Sequence, residues 1–313
     1  MPPLISICIP TYHRPDYLQK LFASIEIQDF KDFDIVITDN SSDDSVLNLV
    51  NSYTHKFKIS YFRNTPSVSM TENWNNCIRK ATGTWIKVMH SDDSFAGKDA
   101  LGAFAEAARK QPAAIFSALY VHNETFNTTK IDQLNPSEVE LYSNNPYMLL
   151  YNNLVGSPST CMVRNDINEL YDPRLGWIVD IDYYFRIISH SGFSYIPEPI
   201  INMTQNETQV TQDCFRNKAV EIPEGLILLQ KYGSKLTGNI TQYNSWWRFI
   251  RNMSIRSVEE CQQYAKGYEI PKFLVNIINF QKRIPETTLS NRYISRLLMT
   301  LHYFLRFKLN ISI

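Results

Sequence analysis

Two hydrophobic periods alternate along the first two thirds of the chain, and each change of period marks an element. Residues 4–9 (Leu-Ile-Ser-Ile-Cys-Ile) form a short apolar run that stops at Pro10, the pattern of a buried strand. Pro15 then stands where a first helical turn tolerates it, and Leu18, Leu21, Phe22 and Ile25 follow at helical spacing. Residues 34–38 make a second β-branched run, closed by the polar cluster Asp39-Asn40-Ser41-Ser42-Asp43-Asp44. Val46, Leu47, Leu49 and Val50 predict a helix beyond it, and residues 58–62 a third strand. Thr71 is positioned to cap a helix whose apolar face is Trp74, Cys77, Ile78 and Ala81. Residues 84–89 read as a fourth strand. Leu101, Phe104, Ala105 and Ala108 give the next helix, and residues 113–119 the next strand.

Strands alternating with helices of this length predict an α/β fold with a mostly parallel, doubly wound sheet flanked by helices. Polar residues collect at the C-terminal ends of three strands: Thr11-Tyr12, Asp39-Asn40 and His90-Ser91-Asp92-Asp93. Ligands of open α/β sheets bind in the crevice outside those ends, so the three clusters should converge. Further on, the turn-rich Gly156-Ser157-Pro158-Ser159 precedes a short strand at 160–163. Residues 180–190 predict a helix with Tyr184, Ile187 and Ile188 on one face and Gly192 as its stop. From about residue 216 the chain turns helical and aromatic, including Trp246-Trp247-Arg248-Phe249. The expected division is an α/β domain over 1–215 and a helical C-terminal region over 216–313.

Composition removes several classes. The 313 residues carry 31 basic and 31 acidic side chains, a balance that argues against a dedicated nucleic-acid binder. Five scattered cysteines without a CxxC pair indicate neither a structural zinc site nor a disulfide framework, and predict reduced thiols. The N-terminus has no basic stretch before its apolar run and reads as a strand rather than a signal peptide. No window offers the ~18 uninterrupted apolar residues of a membrane span. The expected location is the cytoplasm. The first glycine is Gly83, so the glycine-rich phosphate loops that follow the first strand in dinucleotide, P-loop and nucleotidyltransferase folds are missing. A nucleotide here would have to be held by side chains and a metal.

Candidate chemistry sits at the strand ends. Magnesium and manganese take oxygen ligands, typically one or two carboxylates plus the substrate's phosphates, and Asp92 and Asp93 supply that number. The competing role is a solvated turn in which an aspartate caps the helix near 98–110. Asp39 could accept a hydrogen bond from a base N–H, or cap the helix after it. Asp180 stands at a helix start, where the dipole favours its ionised form, and could act as general base toward an acceptor hydroxyl. Asp182, two residues on, points elsewhere. Trp177 could stack on a sugar ring or belong to the core.

Three segments together resemble family 2 glycosyltransferases: Cys-Ile-Pro-Thr-Tyr-His-Arg-Pro-Asp-Tyr-Leu, Ile-Val-Ile-Thr-Asp-Asn-Ser-Ser-Asp-Asp and Trp-Ile-Lys-Val-Met-His-Ser-Asp-Asp. Their order and spacing match across about residues 4–205. The resemblance implies a GT-A fold, with a nucleotide-binding half over about 1–120 and an acceptor half over about 121–215. It further implies inverting transfer from a nucleoside diphosphate sugar with the help of manganese or magnesium. On that resemblance Pro10, Thr11, Tyr12 and Asp39 meet the nucleoside, Asn73 and Trp74 close over it, His90 and Asp93 also bind the nucleotide, and Asp92 holds the metal. Asp180 falls on the catalytic base, while Ser157 and Trp177 lie toward the acceptor. Two positions depart from the family pattern: His90 replaces the first aspartate of D-x-D, and Val179 replaces the glutamate before Asp180. No Q-x-x-R-W motif is present, which argues against a processive synthase.

The implied partners are a nucleoside diphosphate sugar and a glycan or polyprenyl-linked acceptor in assembly of bacterial surface polysaccharide. The segment 292–313 carries Ile294, Leu297, Leu298, Leu301, Phe304 and Leu305 beside Arg292, Arg296, Arg306 and Lys308. It reads either as a basic amphipathic helix at the inner face of the cell membrane, or as a helix packed on its own chain or a second copy. A retaining transferase on the same fold, or a binding protein that has lost catalysis, are the alternatives.

Overall fold

The computed structural model describes residues 1–205 and 214–305, so Arg306 and Lys308 lie outside the described residues. These residues form two compact units: residues 1–146 with 153–205, and residues 147–152 with 214–305.

The first unit is built on a nine-stranded sheet among the described residues. Its elements run β1 (Ile5–Thr11), α1 (Pro15–Glu26), β2 (Phe33–Asp39), α2 (Ser45–Tyr53), β3 (Ile59–Arg63), α3 (Met70–Lys80), β4 (Trp85–Val88), β5 (Ser94–Phe95), α4 (Ala100–Ala108), β6 (Ala114–Asn123), β7 (Thr128–Asp132), α5 (Pro136–Asn144), β8 (Cys161–Arg164), α6 (Val179–Ser191) and β9 (Phe193–Gln205). The strand order is β3-β2-β1-β4-β8-β6-β9-β5, with β7 on β6. The first four strands pair in parallel, in register Thr11↔Asp39 and Asp39↔Arg63, which aligns their C-terminal ends. β8 enters antiparallel to both β4 and β6, and β5 and β7 are also antiparallel, so the second half of the sheet is mixed.

The apolar runs behave as their period requires. Every residue of β1 is buried, and Leu18, Leu21, Phe22 and Ile25 of α1 pack on it in one core with Trp85, Leu101 and Phe104. The helix at 70–80 is capped by Ser69, not Thr71: Ser69 Oγ accepts from the Glu72 N–H. Thr71 is buried one turn in and donates to the Leu175 carbonyl. In β9 the ladder slips between Ser117↔Ile196 and Ala118↔Pro199, so Pro197 and Glu198 form a bulge where prolines need donate nothing.

The second unit is helical: α7 (Lys218–Tyr232), α8 (Ile240–Asn252), α9 (Val258–Tyr264), α10 (Lys272–Gln281), α11 (Glu286–Ser290) and α12 (Arg292–Tyr303). Trp246 and Trp247 of α8 are its buried centre. Their indole N–H groups donate to the Leu236 carbonyl and to Ser295 Oγ of α12. No helix among the described residues is long and apolar enough to cross a membrane.

Candidate active site

His90-Ser91-Asp92-Asp93 is a turn pinned at both ends. At its start Met89 N–H donates to the Cys8 carbonyl of β1, and the turn closes with Asp93 N–H on the His90 carbonyl at 3.1 Å. At its end β5 pairs at once with β9. β5 stands between the turn and α4, whose N-cap is Asp99, so neither Asp92 nor Asp93 caps that helix. One ligand atom from each of His90, Asp92 and Asp93 lies within 4.8 Å of the others. His90 N–H donates to Ser159 Oγ at 3.0 Å, and the Asp93 carboxyl bonds to the same serine and faces Thr204 N–H at 3.4 Å.

The electrostatics of this turn favour a cation. Burial, with the Asp92 carboxylate beside it, pushes the Asp93 carboxyl up to about 8. Burial also lowers the His90 imidazole, keeping it neutral near pH 7 and leaving a nitrogen lone pair free to ligate. His90 Nε2 is buried with no hydrogen-bond partner among the described residues. Two carboxyl groups and an uncommitted imidazole at this spacing fit one divalent ion of the oxygen- and nitrogen-binding kind.

At the neighbouring strand ends, Asp39 is fully buried. Its Oδ1 accepts from Thr11 Oγ1 at 3.1 Å, Ser41 N–H at 2.8 Å and Ser41 Oγ at 2.5 Å; its Oδ2 accepts from the Tyr61 hydroxyl at 2.7 Å. Burial, then this bond, pushes the Tyr61 hydroxyl up to about 12. Asp39 therefore organises three strand ends rather than capping α2, which starts six residues later. Asn73 of α3 donates to the Thr11 carbonyl at 3.1 Å and accepts from Asn64, which also donates to Asn40. Pro10 is buried in β1, whereas Tyr12 is 65% exposed, its ring edge-on to His13. His13 and Arg14 both take left-handed backbone angles (φ 55° and 56°) where glycine-rich folds place glycines. Ser41 Oγ accepts the His13 N–H at 2.7 Å and helps to hold that conformation.

Asn73 and Trp74 are consecutive in α3 and join the two groups. The Trp74 ring lies 4.6 Å from His90 and 5.1 Å from Tyr171. Asp180, in the first turn of α6, accepts from Ile181 N–H at 2.8 Å and Asn153 Nδ2 at 3.0 Å. Its charge contributes, after burial and neighbouring groups, to the raised Tyr171 hydroxyl, so it lies within electrostatic reach of the ring that touches Trp74. Asp182 turns away into the core and pairs with Arg186 at 3.1 Å. Trp177 is half-buried just before α6. Ser157 leads into the 3₁₀ turn Pro158–Thr160, and its hydroxyl is buried without a partner among the described residues.

Several members of this constellation escape a pattern reading. Lys87 is fully buried in β4, donates to the Ser159 and Cys161 carbonyls, and burial brings it down to about 7. A lysine inside the apolar run Trp-Ile-Lys-Val-Met is a visible anomaly and could have flagged it. Ser159, Asn64 and Asn153 carry no such signal, being ordinary polar residues in turns.

A model of glycosyl transferase family 2 matches residues 6–171, which include β1 to β8 and the acidic turn but stop short of Asp180. The chain is 37% identical over 102 residues to abequosyltransferase RfbV of Salmonella typhimurium, spanning 31% of this chain and 30% of that one. It is 32% identical over 124 residues to the GalNAc(5)-diNAcBac-PP-undecaprenol beta-1,3-glucosyltransferase of Campylobacter jejuni, spanning 39% and 40%. The chain thus covers well under half the length of these two relatives. Among solved structures, Staphylococcus aureus TarS 1–349 in complex with UDP-GlcNAc shares the fold at a TM-score of 0.58 and 16% identity, over 90% of this chain and 92% of that one. A mixed sheet whose parallel strands end in Thr11, Asp39 and the acidic turn has the GT-A fold, and with the family model matching more than half of its residues the chain belongs to glycosyl transferase family 2.

Proposed function

We propose that this chain is an inverting glycosyltransferase that moves a sugar from a nucleoside diphosphate sugar to a hydroxyl of a glycan or polyprenyl-linked acceptor, in assembly of bacterial surface polysaccharide. The observation that carries the reading is the continuous contact path from Thr11 and Asp39 through Asn73 and Trp74 to His90, Asp92 and Asp93. Pyrophosphoryl chemistry needs such a path, with nucleoside contacts at one end and a cation site at the other. RfbV and the glucosyltransferase named above add support, one by its sugar transfer and the other by its diphosphoundecaprenol-linked substrate.

In this reading the exposed Tyr12 receives the nucleoside at the strand ends that the buried Pro10, Thr11 and Asp39 shape, and Asn73 and Trp74 close over it. Asp92, with Asp93 and His90 beside it, would hold manganese or magnesium, which supplies offsetting charge for a departing diphosphate. Asp180 takes the acceptor hydroxyl's proton as that oxygen bonds to the anomeric carbon. The bond from that carbon to the diphosphate oxygen breaks with its electron pair on the leaving group, inverting the centre. Asn153 holds the carboxylate of Asp180 in place, and Ser157 and Trp177 face the acceptor. The test is a transfer assay with a panel of nucleoside diphosphate sugars and manganese, read by NMR of the product anomer. The expected product has the opposite anomeric configuration to the donor, and Asp180→Asn lowers turnover by about 10²- to 10⁴-fold. A retained configuration, or near-normal turnover in Asp180→Asn, contradicts the reading.

The C-terminal helix extends the proposal to the membrane. α12 packs through Ser295, Met299, His302 and Tyr303, while Tyr293, Ile294, Leu297, Leu301 and Phe304 are exposed beside Arg292 and Arg296. One face packs on its own chain, and the exposed apolar face beside the arginines is what supports contact with an anionic lipid surface or with a second copy.

A further inference from the structure

The second unit contains a cavity of about 330 Å³ lined by residues of the α8 end, the connection after it and α11. That volume lies at the lower end of the range of small-ligand sites. Three guanidinium side chains line it, Arg216, Arg251 and Arg256, against a single carboxylate, Glu286. None of the three guanidinium groups forms an ion pair with a carboxylate among the described residues. Arg251 instead donates to Asn252 Oδ1 and Ser295 Oγ, and Arg256 to the carbonyls of Lys282 and Ile284. Neutral acceptors hold the Arg251 and Arg256 side chains, while the Glu221 carboxylate, which is not part of the cavity lining, accepts the Arg216 backbone N–H at 2.6 Å and lies within reach of its charge. Burial, then Arg248 and Arg216, lowers Arg251, so the like charges are close enough to act on one another.

Arg216 and Ser254, both on the cavity wall, take left-handed backbone angles (φ 58° and 48°). Ser254 follows the end of α8, where its N–H bonds the Arg251 carbonyl and the Ile255 N–H bonds the Ile250 carbonyl, so its angle closes the helix and fixes this part of the wall.

We infer that this cavity binds a phosphoryl anion, a phosphate or diphosphate group borne by a lipid headgroup or by a soluble molecule. Planar guanidinium groups match phosphate oxygens in pairs, and a di- or polyanion is what three of them would neutralise. Ser254 and Ser290 also line the cavity; the Ser290 hydroxyl donates to the Thr287 carbonyl. None of its lining residues is a strand-end residue, and its test reads binding rather than transfer, so it stands or falls independently of the proposed reaction.

The full chain is titrated with inorganic pyrophosphate by calorimetry in the presence of EDTA, which withholds any divalent ion from the acidic turn. Saturable binding is expected, weakened about tenfold in Arg216→Gln, the loss of one charge-assisted contact. Arg216 is exposed, so the variant should fold, and a matching melting curve checks this. Glu286→Gln, which removes the opposing carboxylate, should bind a few-fold tighter. A second arm uses phosphatidylcholine vesicles doped with phosphatidic acid. Arg216-dependent binding that pyrophosphate displaces assigns a lipid phosphate, and vesicle binding insensitive to Arg216→Gln assigns a soluble one. Absence of pyrophosphate binding, or equal affinity in wild type and both variants, overturns the inference.

Discussion

At Asp93, burial and the neighbouring Asp92 act in the same direction, and their sum is readable as stability. Its carboxyl is pushed from the ordinary 3.8 to about 8, so the folded, metal-free protein holds a proton that the unfolded chain releases. The stability tied to that proton is fully present below about pH 4 and is lost as pH rises through about 8. Lys87, buried below the turn, runs the other way: brought down to about 7, it favours the folded state increasingly above that pH. Asp93→Asn separates the two. In urea denaturation with EDTA, the variant's stability relative to wild type should rise by about 2 to 4 kcal/mol between pH 5 and pH 8, at ~1.4 kcal/mol per unit. A difference that does not change with pH would mean that Asp93 is ionised throughout.

At the scale of elements, β4 carries the turn, and its position depends on Gly83. A Cβ on Gly83 would meet Ser6 N at 2.5 Å and the Ile5 carbonyl carbon at 2.9 Å, both backbone atoms that cannot yield cheaply. Gly83 N–H also donates to Ser6 Oγ at 2.8 Å. Gly83→Ala should therefore cost about 1 to 3 kcal/mol, measurable by chemical denaturation, and should weaken manganese affinity by displacing the β4 end. Unaltered stability and metal affinity would show that the entry to β4 is plastic.

The elements legible in the sequence are those with one clear period. β1 to β4 and α1 to α4 follow the apolar runs within a residue or two, as does α6 from its Tyr184, Ile187 and Ile188 face. β9 is hidden because Pro197 and Pro199 interrupt it and its bulge breaks alternation; β7 is a solvent-facing strand with no apolar signal. Strand-end position drew attention to Thr11, Asp39, His90 and Asp92. The hydrogen-bond partners that hold them, Ser159, Asn64 and Tyr61, come from distant segments, and only tertiary pairing supplies that information.

The chain carries an α/β unit with the acidic turn and a helical unit with an exposed apolar stripe and an arginine-lined cavity. Leu297 and Leu301 are 70% and 50% exposed and sit one helical turn apart on α12. Replacing both by Asp should abolish co-sedimentation with anionic vesicles while leaving the melting temperature nearly unchanged, because the packed face is untouched. Vesicle binding at the wild-type level, with the wild-type chain sedimenting as a dimer, would assign the stripe to a second copy instead. The central claim concerns the acidic turn, and a thermal-shift screen of UDP, GDP and dTDP, each with and without manganese, tests it most directly. One of these diphosphates should raise the melting temperature of the wild-type chain only when manganese is present, and Asp92→Asn should abolish that rise. A rise of the same size without manganese, or in Asp92→Asn, would contradict the assignment.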